Sequence, residues 1–115
     1  MGKFRVERIE SLMNGIISEM ILREEVRDPR INSMVSINGV KLSKDMSHAV
    51  VMVSGYLKPE QLSAAVEGLN HAAGFIQARI GKRLTMRTTP RLTFKEDHSI
   101  KDGFEVIQQI KELDG

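Results

Sequence analysis

The longest uninterrupted apolar run in this sequence is Ala49-Val50-Val51-Met52-Val53, and the rest of the chain must be arranged around it. It is far shorter than the roughly 20 residues needed to cross a bilayer, and its β-branched content marks a strand. A strand with no polar alternation is buried on both faces or flanked on both edges. It is therefore expected at the centre of a sheet, with other elements supplying neighbours and cover.

Periodicity locates those elements. Val6, Ile9, Leu12, Met13, Ile16, Ile17, Met20 and Ile21 recur at the three-and-four spacing of an amphipathic helix, with Glu7, Glu10, Asn14 and Ser18 off the stripe. This helix is predicted to run to about Val26, because Pro29 pushes Asp28 out of helical geometry. Met34 to Leu42 is a strand with a fault in it: Val35 and Ile37 share one parity, Val40 and Leu42 the other, and Asn38-Gly39 lies at the break. Either a tight hairpin turns there or a bulge restores the facing. Hairpin arms of about four residues are short for strands, so the bulge is preferred and the turn is placed at Ser43-Lys44-Asp45-Met46.

Pro59 opens a second helix where its missing N–H does no harm, and Leu62, Ala65, Val66 and Leu69 give its buried stripe as far as about Ala72. Gly74 interrupts a pattern that resumes with Phe75, Ile76, Ile80 and Leu84, which indicates a third helix leaving through a kink at Ala72-Ala73-Gly74. Gly68 and Gly81 are expected to weaken this pair. After Pro90 a last strand points Leu92 and Phe94 inward and Arg91, Thr93 and Lys95 outward. Ser99 to Asp102 opens a short helix carrying Phe104, Ile107 and Ile110. A strand, helix pair, strand unit crosses over right-handed, which sets the last strand parallel beside the central one. The expected architecture is α+β: a three-stranded mixed sheet with helices on one face. At 115 residues it forms one domain, 1–115.

Several functional classes are excluded. The absence of Cys removes disulfides, thiolate metal sites and a thiol nucleophile, and it fits a reducing compartment, so a cytoplasmic protein is expected. The amino terminus has no signal-peptide apolar region, and Val6 breaks the myristoylation pattern that Gly2 invites. His48, His71 and His98 are too dispersed for a local metal motif, and Glu96-Asp97-His98 is assigned to a solvated loop. The commoner phosphate cradles and nucleophile elbows are missing, and Glu24-Glu25 belongs to a polar helix end. No cofactor, metal or catalytic residue is expected.

The charge pattern is more informative than the net charge of +2. Between Glu67 and Glu96 there is no acidic residue, while Arg79, Lys82, Arg83, Arg87, Arg91 and Lys95 fall inside that gap. A single-sign stretch in a nearly neutral chain makes a local positive field suited to a polyanion. Arg79, Lys82 and Arg83 are predicted to share one helix face opposite Ile76 and Ile80, with Arg87 at the helix exit. Among the aromatics, Phe75, Phe94 and Phe104 fit the core pattern, which leaves Phe4 and Tyr56 and no stacking platform on the sheet. Binding should lean on phosphates and shape. The first helix and the Met residues are assigned to core.

Several blocks of this sequence, in order, resemble one family. They are Glu24-Glu25-Val26-Arg27-Asp28-Pro29-Arg30; the segment from Val40 through Ser43-Lys44-Asp45-Met46-Ser47-His48 to Val51; Leu69-Asn70-His71-Ala72-Ala73-Gly74-Phe75-Ile76; Gly81-Lys82-Arg83-Leu84 with Arg87; Pro90-Arg91-Leu92-Thr93-Phe94; and Asp97-His98-Ser99. Together they are similar to bacterial ribosome-binding factor A. The resemblance implies a KH-like domain of the second type, in which an interhelical A-x-G kink, here Ala72-Ala73-Gly74, replaces the usual G-x-x-G loop; the sequence contains no G-x-x-G. It also implies a non-enzymatic, monomeric factor that binds the free or immature 30S subunit, assists late 16S rRNA maturation including 5′-end processing, and supports growth in the cold. The residues expected to contact rRNA are Arg79, Lys82, Arg83, Arg87, Arg91 and Lys44. Some members carry a longer charged carboxyl-terminal tail; this sequence ends at Gly115, and no function resting on that tail is expected. Three alternatives stand beside this reading: a KH-like module for short single-stranded RNA, an acylphosphatase-like enzyme for which no Arg-bearing cradle is legible, and an interaction protein that docks through its first helix without RNA.

Overall fold

A computed structural model of the protein describes residues 2–98. The elements are α1 (Gly2–Leu22), β1 (Val35–Leu42), β2 (His48–Gly55), α2 (Pro59–His71), α3 (Ala73–Leu84) and β3 (Arg91–Glu96). The short helix expected after Ser99, with Phe104, Ile107 and Ile110, lies outside the described residues. The sheet order is β1-β2-β3, with β1 antiparallel and β3 parallel to β2. The apolar run is thus the central strand, flanked on both edges. Ala49, Val51 and Val53 are buried beneath the helices, while Val50 and Met52 on the opposite side are only half-buried. Of the two explanations for continuous apolarity, flanking by strands is the one realised.

The fault in β1 is a bulge. Ile37 pairs with Val53 and Gly39 with Met52, so Asn38 is the extra residue. Val40 then pairs with Val51 and Leu42 with Ala49, which returns both to the face already held by Val35 and Ile37. One inserted residue thereby keeps all four apolar side chains over the core, as the parity switch requires. The turn into β2 follows at Ser43 to Ser47, closed by the Ser43 N–H donating to the His48 carbonyl at 2.9 Å.

The first helix ends earlier than its apolar pattern suggests. It stops at Leu22, not near Val26, because Glu24 adopts a left-handed conformation with φ 57°. The Glu24 N–H donates to the Ile21 carbonyl at 3.1 Å and the Glu25 N–H to that of Met20 at 2.9 Å, the bond pair of a Schellman cap. Val26 is nonetheless buried, since the cap turns it back onto the core. That core sets Met13, Ile17 and Met20 of α1, Leu62, Ala65 and Leu69 of α2, and Ile76 and Ile80 of α3 against Val51, Val53, Leu92 and Phe94. Each of the Val, Leu, Ile, Met and Phe side chains contributes on the order of 1.5–3 kcal/mol by leaving water, and the Ala65 methyl less. Met34 departs from the assignment of methionines to the core and is half exposed.

Gly68 and Gly81 have a packing role that offsets their low helix propensity. A Cβ at Gly68 would lie 3.1 Å from the Asp28 carboxyl carbon and 3.2 Å from Ile31, and one at Gly81 would overlap the Thr89 hydroxyl. At Gly81 the helix approaches Thr89 too closely for a Cβ without a shift, and at Gly68 a Cβ would fit only if Asp28 or Ile31 gave way by a few tenths of an ångström.

Candidate nucleic-acid interface

The α2–α3 junction is fixed to the sheet by two amide side chains. Asn70 Nδ2 donates to the Phe94 carbonyl at 3.0 Å, and its Oδ1 accepts the Phe94 N–H at 2.8 Å. Gln77 Oε1 accepts the Leu92 N–H at 3.0 Å. These are outward-facing groups of an edge strand, which need partners. Satisfying them from either side of Ala72-Ala73-Gly74 holds the kink beside the β3 edge. Ala72, with φ −90° and ψ 5°, ends α2 and starts α3. Gly74 is exposed within the first turn of α3, and a Cβ there would meet nothing within 4 Å. No steric contact within the protein calls for glycine at this position.

The basic residues divide between two sides of the molecule. Arg79 and Arg83 lie three and seven residues after Ile76, at the flank of the buried stripe and not opposite it, and there they meet acids from the first helix and its end. Arg79 pairs with Glu25 at 3.1 Å, and Arg83 with Glu19 at 3.6 Å, while Glu19 also holds Arg23 at 3.2 Å. The single-sign helix face read from the sequence is thus partly countered by carboxylates from far along the chain. Lys82 is exposed one turn beyond Arg79 and makes no ion pair among the described residues; Arg87 is exposed in the connection to β3, likewise unpaired.

Lys44 and Arg91 are elsewhere. Lys44 is in the β1–β2 turn, next to which β3 begins, since the Arg91 N–H donates to the Ser47 carbonyl at 2.9 Å. Arg91 projects from the sheet face away from the helices. The turn carrying Lys44 is organised by Asp45, whose Oδ1 accepts from the hydroxyls of Ser47 at 2.7 Å and Ser43 at 2.8 Å and from the Ser47 N–H at 3.1 Å. These bonds to the charged form lower its pKa from 3.8 to about 2.

One candidate residue was misplaced by periodicity. Phe75, assigned to the core, is 50% exposed, with the Arg79 guanidinium 5.6 Å from its ring centroid. Phe75, Arg79 and Lys82 are spaced i, i+4, i+7 and share a face, so the signal was present in the spacing of Phe75 to the cations. An aromatic ring thus stands beside the kink, although among the described residues none lies in the strand rows of the open sheet face. Phe94 is buried as expected. Among the described residues, no group of three His, Cys, Asp or Glu could hold a metal ion, and no helix is long and apolar enough to cross a membrane.

With this geometry in view, residues 5–110 match the family described as Ribosome-binding factor A. The chain belongs to this family. It is 43% identical to ribosome-binding factor A of Caldanaerobacter subterraneus subsp. tengcongensis over 111 residues, 96% of this chain and 90% of the relative. It is 37% identical to that of Treponema denticola over 99% of this chain and 86% of the relative. The crystal structure of ribosome-binding factor A from Thermus thermophilus superposes with a TM-score of 0.66 at 30% identity, covering 79% of this chain and 94% of that one. A homology model of the Thermus thermophilus ribosome-binding factor A, fitted into the cryo-EM map of a 30S complex, aligns with a TM-score of 0.64 at 27% identity over 81% and 96% of the two chains. Ribosome-binding factor A membership agrees with the α+β, KH-like type II architecture expected from the sequence.

Proposed function

We propose that this protein is a maturation factor of the small ribosomal subunit. It binds the free or immature 30S particle and assists late 16S rRNA maturation, including processing at the 5′ end and growth in the cold. It acts as a monomeric single domain in the cytoplasm, without catalysing a reaction. The observation that supports this reading best is the α3 face itself: Phe75, Arg79, Lys82 and Arg83 stand together beside a glycine whose missing side chain serves no contact inside the protein. In a family whose Thermus thermophilus member is described in a complex with the 30S subunit, that face suits a folded RNA.

Arg79, Lys82, Arg83 and Arg87 neutralise phosphates and set the protein's register, with Arg91 and Lys44 adding contacts from the sheet end. Gly74 lets an RNA backbone approach α3 closely. The carboxylates of Glu19 and Glu25 hold two guanidiniums in place until phosphates replace them, at little cost because exposed pairs of this kind contribute under about 1 kcal/mol. The protein favours whichever rRNA conformation it binds better and leaves when the mature one forms. Cosedimentation with purified free 30S subunits and with assembled ribosomes tests this. Preference for free subunits is expected; equal binding to both, or none, would overturn it.

A further inference from the structure

The sheet face turned away from the helices carries a second set of cations. Lys41 of β1, His48 of β2, and Arg91 and Lys95 of β3 are all exposed there. The register fixes their arrangement: Lys41, Val50 and Thr93 form one row across the strands, Gly39, Met52 and Lys95 the next, and His48 lies beside Arg91. With strands about 4.8 Å apart and a rise of about 3.3 Å per residue, the three full charges span an area of roughly 10 by 13 Å.

No acidic residue occupies these rows; Asp97, two residues past Lys95 and of the same parity, brings a carboxylate to the end of the face, where it accepts from Asn38 Nδ2 at 2.8 Å. Among the described residues Lys41, Arg91 and Lys95 make no ion pair, unlike Arg79 and Arg83 on the helical side. The centre of the face is Val50 and Met52, half-buried and without an aromatic. A protein partner would be expected to meet an aromatic-rich core ringed by polar groups; among the described residues, cations without ion-pair partners around an aliphatic centre match a phosphate backbone, read by charge and not by base stacking.

We propose that this open sheet face is a second RNA-phosphate-binding surface, engaging a different stretch of rRNA from the one met by α3. The inference rests on the small-subunit reading given above and adds to it a geometric device. Helices and open face lie on opposite sides of one sheet, so the protein bridges two RNA elements. Only a subunit conformation that presents both at the right separation engages both faces, and the second contact then forms intramolecularly. This gives a physical basis for preferring one state of the particle.

Because the chain contains no Cys, a single one can be placed on each side of the full-length protein. Ser36→Cys lies on the open sheet face away from the cations, and Ala78→Cys is exposed on α3. Each variant is loaded with an iron chelate and bound to free 30S subunits, and hydroxyl-radical cuts are mapped in 16S rRNA. The expected result is cleavage from both positions at separate rRNA sites. In parallel, Lys41→Gln with Arg91→Gln and Lys95→Gln should retain the native circular dichroism and melting profile while lowering the salt-dependence slope of binding by about 2–3. Cuts from position 78 with none from position 36, chelate reaction at 36 with ribosomal protein alone, or an unchanged slope in the folded triple variant would overturn the second surface and leave the α3 reading standing. No cleavage from either position, together with no cosedimentation, would overturn both.

Discussion

The two cationic sides of this molecule come from one acid-free stretch of sequence, between Glu67 and Glu96, joined on the sheet by Lys41, yet the fold treats them differently. On the helical side Arg79 and Arg83 are met by Glu25 and Glu19; on the open sheet face Lys41, Arg91 and Lys95 make no ion pair among the described residues, and Asp97 at the end of that face is held by Asn38. A linear run of charge is therefore not a surface. Strand alternation sends Arg91 and Lys95 to one side, helical periodicity sends Arg79 and Arg83 to the other, and tertiary packing decides which of them is countered. The helical side has held, oriented cations with a glycine and an aromatic ring beside them. The sheet side has open charge and no such framing.

The largest effect that could break this contrast comes from reversing the helical charges. Arg79→Glu with Arg83→Glu should weaken 30S binding roughly ten-fold or more and flatten its salt dependence, each lost phosphate contact removing about 0.7–0.9 from the slope. A folded double variant that binds unchanged would remove α3 from the interface. A smaller loss is expected for Gly74→Ala. A Cβ there meets nothing inside the protein, so the fold should be unchanged or more stable by about 0.4–1 kcal/mol, while 30S binding falls several-fold; unaltered binding would reduce Gly74 to a plain helix residue. Glu19→Gln with Glu25→Gln frees the guanidiniums from internal competition and should tighten binding a few-fold in a filter or sedimentation titration. A weaker complex would mean that those carboxylates position the arginines more than they compete for them.

The smallest effect is local and pH-dependent. Asp45, with its pKa lowered from 3.8 to about 2, supports the Lys44 turn fully above about pH 4 and loses that support as pH falls through 2. Its carboxyl carbon should titrate near 2 by NMR, with amide exchange at Ser47 rising over the same range. Titration near 3.8 would show that the serine hydroxyls do not hold it.

Much of this molecule is legible in its sequence. The central strand, the bulge at Asn38, the turn at Ser43, the proline-started α2 and the kink all follow from period and parity, because each leaves an apolar residue in the wrong place unless the backbone does something specific. The early end of α1 is hidden, since Glu24 in a left-handed conformation carries no residue-type signal and Val26 keeps the apolar spacing going after the helix has stopped. Phe75 is misread because one aromatic next to Ile76 looks like core until its spacing to Arg79 and Lys82 is weighed. The carboxylates against α3 cannot be found locally: Glu25 lies 54 residues before Arg79, and only the packed fold joins them. The amide clasp of Asn70 and Gln77 on β3 is invisible for the same reason.

The central claim is that the protein holds the small subunit through phosphates, and the salt dependence of its binding to free 30S subunits tests this most directly. Between about 50 and 200 mM salt, log affinity should fall linearly with log salt, with a slope of about 0.7–0.9 for each phosphate neutralised. Binding to free subunits that is insensitive to salt over that range would contradict the account.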